Sequence, residues 1–278
     1  MKTLSKNAPW QLFAFDNYFD DTDRAYLVTE RWDIPRALGY DKAYFSIIRD
    51  QSASWEMFQA IPEERRRTGL GLAAVYTVVD LDDPQPKGSH SILEMVHFLE
   101  PGDTLELTMS VGWQKELSNP ARDGQAREFL KPVLEEARKR GVTISLYHHF
   151  GFWLERLEDC VRLAQSVNDP NLRVTFCGYH WYAIDRGDLI GKLRLAAPWL
   201  HLANVCGARL VPPGVKHPLP ATIEPVGSGD FPLGEFINGL REVGFQGDVG
   251  FQGYSIGGDA LKNLSQSINA FRQAAEFE

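Results

Sequence analysis

Short apolar segments alternate with longer amphipathic ones along the whole chain. Eight segments are rich in the β-branched, aromatic and aliphatic residues that favour strands. They are residues 12–15, 43–48, 72–79, 104–110, 142–149, 172–177, 200–206 and 248–253. Between them, apolar residues recur at three- and four-residue spacing, as in residues 126–141 and 153–167, which predicts helices. This alternation predicts an α/β fold, a (β/α)8 TIM barrel that spans residues 1–278 as a single domain.

A doubly wound open sheet is the second fold that this pattern allows. Such a sheet usually carries a glycine-rich loop directly after its first strand, and residues 15–21 (FDNYFDD) contain no glycine. The longest irregular segment, residues 207–230, follows the seventh predicted strand and is rich in proline and glycine. In a barrel, the loops that follow strands surround the active site, so this loop is expected to lie near it.

Composition and charge narrow the classes of partner. The chain of 278 residues is 44% hydrophobic and has a net charge of −8, which disfavours binding to nucleic acid or to an anionic membrane. Its three cysteines, Cys160, Cys177 and Cys206, have no paired spacing, so we expect no disulfide framework. No apolar run has the length of a membrane span or of a signal peptide, which favours a cytoplasmic protein. A chain whose leader had been removed would have the same pattern, and homo-oligomerisation is left open.

Polar residues stand where the predicted strands end, which is the end of a barrel that carries the chemistry. In the last strand, Val249 and Phe251 suit the helix-facing side, so Gln252 and Tyr254 are predicted to point inward. By the same alternation, Tyr147 and His149 share one face of the fifth strand. Residues 174–181 (VTFCGYHW) end the sixth strand with Cys177 and His180 three positions apart, a spacing that is compatible with a metal site or a catalytic pair.

Three segments of the chain resemble a known family. They are residues 145–181, 200–208 and 249–259, and the similarity extends over residues 142–270. The chain resembles the xylose isomerase-like TIM barrels, the sugar-phosphate isomerase/epimerase superfamily. The resemblance implies a divalent cation held by a Glu on strand five, an Asp in an Asp-x-x-His turn on strand six, a His on strand seven and a Glu on strand eight. It also implies that the two glutamates move protons on either side of a carbonyl.

All four positions of that implied ligand set differ here. They are occupied by Tyr147, Cys177, Asn204 and Gln252, with His201 as a competing match for the strand-seven position. The turn histidine of the family is retained as His180. The chain is therefore expected to be a divergent member that lacks the oxygen-rich site suited to Mg²⁺ or Mn²⁺.

Three interpretations of the pocket remain open. The first is a rebuilt metal site that uses His149 and His180 with Cys177 or Cys206, since imidazole and thiolate ligands suit zinc. The second is metal-free acid–base catalysis by His149 and His180, because the ordinary pKa of histidine suits proton transfer near neutral pH. The third is a barrel that retains the pocket without chemistry, as a carbohydrate-binding protein.

The leading functional hypothesis is a sugar or keto-sugar isomerase or epimerase that removes a proton next to a carbonyl. A small-molecule carbohydrate is the expected partner. The side chains expected to contact it are Tyr147, Asn204, Gln252, Tyr254, Trp113, Trp181 and Lys216. A lyase or hydratase that acts on 3-keto glycosides is the alternative activity. The Gly257–Gly258 turn leaves a phosphate site open, because its backbone N–H groups precede a helix.

Overall fold

Eight parallel strands form a closed barrel in the order β1 to β8. The structure is a computed structural model that describes residues 10–277. The strands are Leu12–Phe15 (β1), Lys42–Ser46 (β2), Gly71–Asp80 (β3), Thr104–Ser110 (β4), Thr143–Tyr147 (β5), Leu172–Cys177 (β6), Leu200–Val205 (β7) and Asp248–Phe251 (β8). All eight lie within the segments predicted as strands or extend them by one residue at one or both ends, and the predicted TIM barrel is confirmed.

Helices connect the strands on the outside of the barrel. Within the described part of the chain they are Val28–Leu38 (α1), Ser52–Thr68 (α2), Ile92–Phe98 (α3), Asp123–Arg140 (α4), Leu157–Val167 (α5), Gly178–Ile184 (α6), Leu189–Ala196 (α7), Leu233–Glu242 (α8) and Ala260–Phe277 (α9). Gly141 ends α4 with a positive φ of 70°, as its position after the amphipathic run predicts. No helix among the described residues is long and apolar enough to cross a bilayer.

One helix begins later than its apolar spacing predicts. The pattern from residue 153 includes Trp153 and Leu154, but α5 starts at Leu157. The Asp159 carboxylate accepts the Arg156 backbone N–H at 2.9 Å and so caps the helix there. Trp153 is buried in the preceding loop, where its indole N–H donates to the Asn119 carbonyl at 2.8 Å.

Strand alternation divides the side chains into two layers. On β4, Leu105, Leu107 and Met109 belong to the large core between the strands and the helices. A smaller aromatic cluster, with Phe13, Phe15 and Tyr44 among its members, fills the barrel interior. Because successive residues of a strand point to opposite faces, this division fixes which side chains reach the barrel axis.

The long loop after β7 is folded back on itself. Isolated bridges join Gly207 to Glu224 and Leu210 to Ala221 within residues 207–230. The Tyr179 hydroxyl donates to the Ala221 carbonyl at 2.9 Å, which attaches the loop to α6. The loop therefore lies over the ends of β6 and β7, on the side of the barrel where the polar strand ends meet.

Candidate active site

Four polar side chains from consecutive strands meet at the carboxyl ends of β5 to β8. Cys177 on β6 pairs with Asn204 on β7. Tyr147 on β5 pairs with Thr175, which precedes Cys177 by two residues on β6. Tyr147, Cys177, Asn204 and Gln252 are all buried. These are the four positions that the sequence singled out, and the barrel brings them together on its inner face.

A directed chain of hydrogen bonds links three of these side chains. The Tyr147 hydroxyl donates to Cys177 Sγ at 2.9 Å, and the thiol donates to Gln252 Oε1 at 3.5 Å. Burial raises the pKa of the Cys177 thiol to about 12, so the thiol keeps its proton at neutral pH. Because its oxygen accepts from the thiol, Gln252 has its amide N–H groups left to offer to the pocket.

Asn204 has no hydrogen-bond partner for its side chain among the described residues. Both Nδ2 and Oδ1 are fully buried and unpaired. A buried amide in this state has lost its contacts with water without gaining protein contacts, which is unfavourable for folding. Such a group is unusual in a native protein, and its position beside Cys177 makes it part of the candidate site.

His149 and His180 lie against each other at the edge of this cluster, with ring centroids 4.1 Å apart. His149 Nδ1 lies 2.7 Å from the Phe150 carbonyl and must carry the proton that it donates there. The neutral ring therefore has an unprotonated Nε2 that can act as a base. His180 Nδ1 accepts the Phe150 backbone N–H at 3.2 Å, so its proton is on Nε2.

Both histidines are neutral at physiological pH. Burial lowers the pKa of His149 to about 4. Burial also lowers the pKa of His180 well below its ordinary value, and the neighbouring rings of His149 and His148 lower it further. His180 Nε2–H is buried without a partner among residues 10–277. The pair consequently presents one free base and one unpaired N–H donor.

A profile of the xylose isomerase-like TIM barrel family matches residues 58–274, well over half of the chain. The chain belongs to this family. A search of curated proteins found no match.

Several solved structures share the fold of this family member. The 3-keto-D-glucoside 4-epimerase of E. coli has a TM-score of 0.73 at 14% identity, over 95% of this chain and 99% of that chain. The D-allulose 3-epimerase of Methylomonas sp. has a TM-score of 0.72 at 12% identity, over 95% and 98%. The probable 3-DHS dehydratase of Bacillus anthracis has a TM-score of 0.69 at 11% identity, over 94% and 98%. At these identities the likeness establishes the fold.

The donor set at the four strand ends does not fit the divalent cation that the family resemblance implies. A phenol, a protonated thiol and two amides supply no negative charge, whereas hard cations are held by carboxylates. Among residues 10–277, no three His, Cys, Asp or Glu side chains are grouped so that they could hold a metal ion. The rebuilt zinc set of His149, His180, Cys177 and Cys206 is not assembled either. Burial raises the pKa of the Cys206 thiol well above its ordinary value.

A buried carboxyl group that sequence reasoning missed lies deeper in the barrel. Glu106 is fully buried on β4 and accepts a hydrogen bond from Thr175 Oγ1 at 2.5 Å and another from the Tyr44 hydroxyl. Burial without a cationic partner raises the pKa of Glu106 to about 7. The signal was present in the sequence, as a single acidic residue inside the otherwise uncharged strand of residues 104–110.

The predicted aromatic and cationic contacts are divided between the rim and other parts of the molecule. Trp113 and Tyr254 are each about half exposed at the rim. Trp181 instead is buried against Phe176 and Phe231 outside the barrel, because Phe176 points outward from β6. Lys216 lies in an exposed part of the loop after β7, with no described contact to the site.

His201 does not compete with Asn204 for the site. It occupies the second position of β7, at the opposite end of the barrel, where its Nε2 lies 2.9 Å from Thr104 Oγ1. His148, the residue before His149, is buried and its Nε2 accepts the Cys177 backbone N–H at 2.9 Å. Asn204 is therefore the strand-seven residue of the site.

Proposed function

We propose that this barrel is a sugar or keto-sugar isomerase or epimerase that removes a proton from the carbon next to a carbonyl. The observation that carries the proposal is the pairing of a free base, His149 Nε2, with an unpaired donor, His180 Nε2–H. Both lie at the carboxyl ends of barrel strands, where barrels of this kind carry their chemistry. Two of the similar structures are sugar epimerases by name, which supports a carbohydrate substrate.

His149 would take the proton, and His180 would hold the oxygen. As the C–H bond breaks, its electron pair forms a carbon–carbon double bond and the carbonyl π pair becomes a lone pair on oxygen. The His180 N–H donates to that oxygen, because a neutral imidazole is a hydrogen-bond donor and not a strong acid. This is a change from the acid role expected from the sequence. When the enolate oxygen takes the proton of the adjacent hydroxyl group and His149 returns its proton to the former carbonyl carbon, the product is the isomer. When a solvent proton reaches the opposite face of the original carbon and His149 releases its own proton to solvent, the product is the epimer.

Proton removal is tested directly by exchange with solvent. A neutral ketose such as D-allulose or L-ribulose, incubated with the protein in D2O, is expected to gain deuterium on a carbon next to its carbonyl. The measurement is the loss of that proton signal by NMR, with heat-denatured protein as the control. If no ketose in the panel exchanges a carbon-bound proton or changes configuration, the isomerase and epimerase assignment is wrong.

An uncharged substrate is favoured over a sugar phosphate. The sequence indicated the Gly257–Gly258 turn as a possible phosphate site. In the structure, acidic residues surround this turn. The Gly258 carbonyl accepts the Asp23 backbone N–H at 3.1 Å, and Asp259 caps the helix that follows through the Lys262 N–H. Negative charge at this turn opposes phosphate binding.

The rim of the pocket gives a specific reason to retain 3-keto glycosides as a second candidate substrate class. The Trp113 indole lies perpendicular to the rings of Phe150 and Phe152, at centroid distances of 5.4 and 5.8 Å. A Cβ on Gly151 would come within 2.7 Å of the indole, so the ring rests directly on this backbone. An indole that is fixed in place yet half exposed is suited to stacking on the apolar face of a second sugar or of an aglycone.

Trp113→Ala is expected to raise KM for a 3-keto glycoside about tenfold, which corresponds to roughly 1.4 kcal/mol of lost stacking. The KM for a free ketose should change little, because a free ketose has no second sugar or aglycone to stack on the indole. Steady-state kinetics with both substrates measures this difference. Leu117→Ala, in the same exposed loop, is the matched control. Equal effects on both substrates would contradict the second sugar subsite, and release of the aglycone would indicate a lyase.

A further inference from the structure

Four buried polar atoms around Cys177 lack partners among the described residues. They are Nδ2 and Oδ1 of Asn204, which is paired with Cys177 in the sheet, Nε2 of His180, one helical turn after Cys177, and Nδ1 of His148, whose Nε2 accepts the Cys177 backbone N–H. Natural proteins pair nearly all such atoms, because burying them unpaired is unfavourable. Their concentration at the carboxyl end of β6 and β7 indicates that a ligand supplies the missing partners.

The donors in this cluster are neutral and their directions are constrained. The Phe150 N–H fixes the proton of His180 on Nε2. The chain from Tyr147 through Cys177 occupies the oxygen of Gln252 and leaves its amide nitrogen as a donor. The side chain of Asn204 adds two N–H groups and one acceptor oxygen. This set matches a carbonyl oxygen next to a hydroxyl group, the oxygen pair of an α-hydroxy ketone.

We infer that the amide N–H groups of Asn204 and Gln252 and the Nε2–H of His180 hold the reacting carbonyl oxygen of an uncharged α-hydroxy ketone, in place of a metal ion. The inference rests on the proposed function and names the groups that stabilise its enolate. When His149 takes the carbon-bound proton, the negative charge develops on this oxygen. Preorganised N–H donors in a water-excluded site stabilise such a charge without reorganisation.

Cys177 is a positioning residue in this arrangement. Its thiol accepts from Tyr147 and donates to Gln252, so it holds the Gln252 amide with the nitrogen directed away from the thiol. Replacing Asn204 distinguishes a ligand-binding role from a structural one, because its side chain makes no hydrogen bond to the described residues.

Calorimetric titration with a ketose and with its alditol tests the inference without requiring turnover. D-allulose and allitol differ only at the carbonyl, and both are titrated with and without EDTA. Wild-type protein is expected to bind the ketose at least tenfold more tightly than the alditol. Asn204→Leu is expected to remove this preference. Thr108→Val, which removes another buried unpaired hydroxyl on β4, is the matched control and should retain it.

Thermal unfolding of the same variants distinguishes a ligand-binding residue from a structural one. Asn204→Leu removes an unpaired buried amide, so its Tm is expected to stay equal or to rise by about 2–4 °C. A structural asparagine would lower the Tm on replacement. Cys177→Ser, which can keep the hydrogen-bond chain, should retain ketose binding better than Cys177→Ala.

The outcomes separate this inference from the proposed function. Carbonyl-selective binding that is lost in Asn204→Leu but occurs without proton exchange would refute the enzyme and support the donor site. Proton exchange with unaltered selectivity in Asn204→Leu would refute the donor site and support the enzyme. Equal binding of ketose and alditol, binding that EDTA abolishes, or no binding of any ketose would each overturn the inference.

Discussion

His149→Asn is expected to lower kcat for ketose turnover by about 10²–10⁴-fold, the usual contribution of a positioned general base. Asparagine approximates the size of the ring and retains an N–H for the Phe150 carbonyl, to which His149 Nδ1 donates. It has no nitrogen lone pair to take a proton. The change should therefore appear in kcat, with KM nearly unchanged. His97→Asn, at an exposed histidine paired with Glu136, is the control.

The pH profile gives this prediction a second measurement. Because burial lowers the pKa of His149 to about 4, the base remains unprotonated well below neutral pH. The acidic limb of kcat/KM should fall as pH decreases through about 4, and not near the ordinary histidine pKa of about 6.5. Unchanged turnover in His149→Asn, or a profile that does not depend on this residue, would remove His149 from the mechanism.

The positions of the strands and the four side chains that point into the barrel could be predicted from the sequence, because both depend on local rules. Alternation along β8 placed Gln252 inward, since Val249 and Phe251 had to face the helices. The family resemblance then aligned Tyr147, Cys177 and Asn204 at neighbouring strand ends, and the closed barrel brings these four side chains together. Each of these steps needs only periodicity and strand order.

Properties that depend on three-dimensional contacts could not be predicted in the same way. Which nitrogen of His149 or His180 carries the proton is set by the Phe150 backbone, whose turn has no signature in the sequence. Trp181 follows the sixth strand as closely as His180 does, yet it packs outside the barrel, because α6 directs the two side chains differently. Whether an aromatic residue reaches the pocket depends on such helix geometry.

The second large expected effect concerns Glu106 and the free energy of unfolding. Its carboxyl group is fully buried, accepts hydrogen bonds from the hydroxyl groups of Tyr44 and Thr175, and has a pKa of about 7 in the folded protein against 4.5 ordinarily. The folded state therefore binds this proton more tightly than the unfolded state does. The resulting stabilisation is complete below pH 4.5 and is lost as pH rises to about 7. The difference corresponds to on the order of 3 kcal/mol.

Glu106→Gln removes this titration while retaining the size of the side chain. The variant is expected to exceed the wild type in free energy of unfolding by on the order of 3 kcal/mol at pH 8.5, and to differ little at pH 4.5. The amide can still accept from one of the two hydroxyl groups and donate to the other, because each hydroxyl can take either role. Urea unfolding at both pH values measures the difference.

Glu128→Gln, on the exposed side of α4, is the matched control and should shift the unfolding midpoint equally little at both pH values. If Glu106→Gln instead lowers stability by the same amount at pH 4.5 and pH 8.5, the carboxyl group is not titrating inside the barrel. The two hydroxyl groups would then require a permanent anion at this position. That result would also place a fixed negative charge beneath the site, which would oppose formation of the enolate above it.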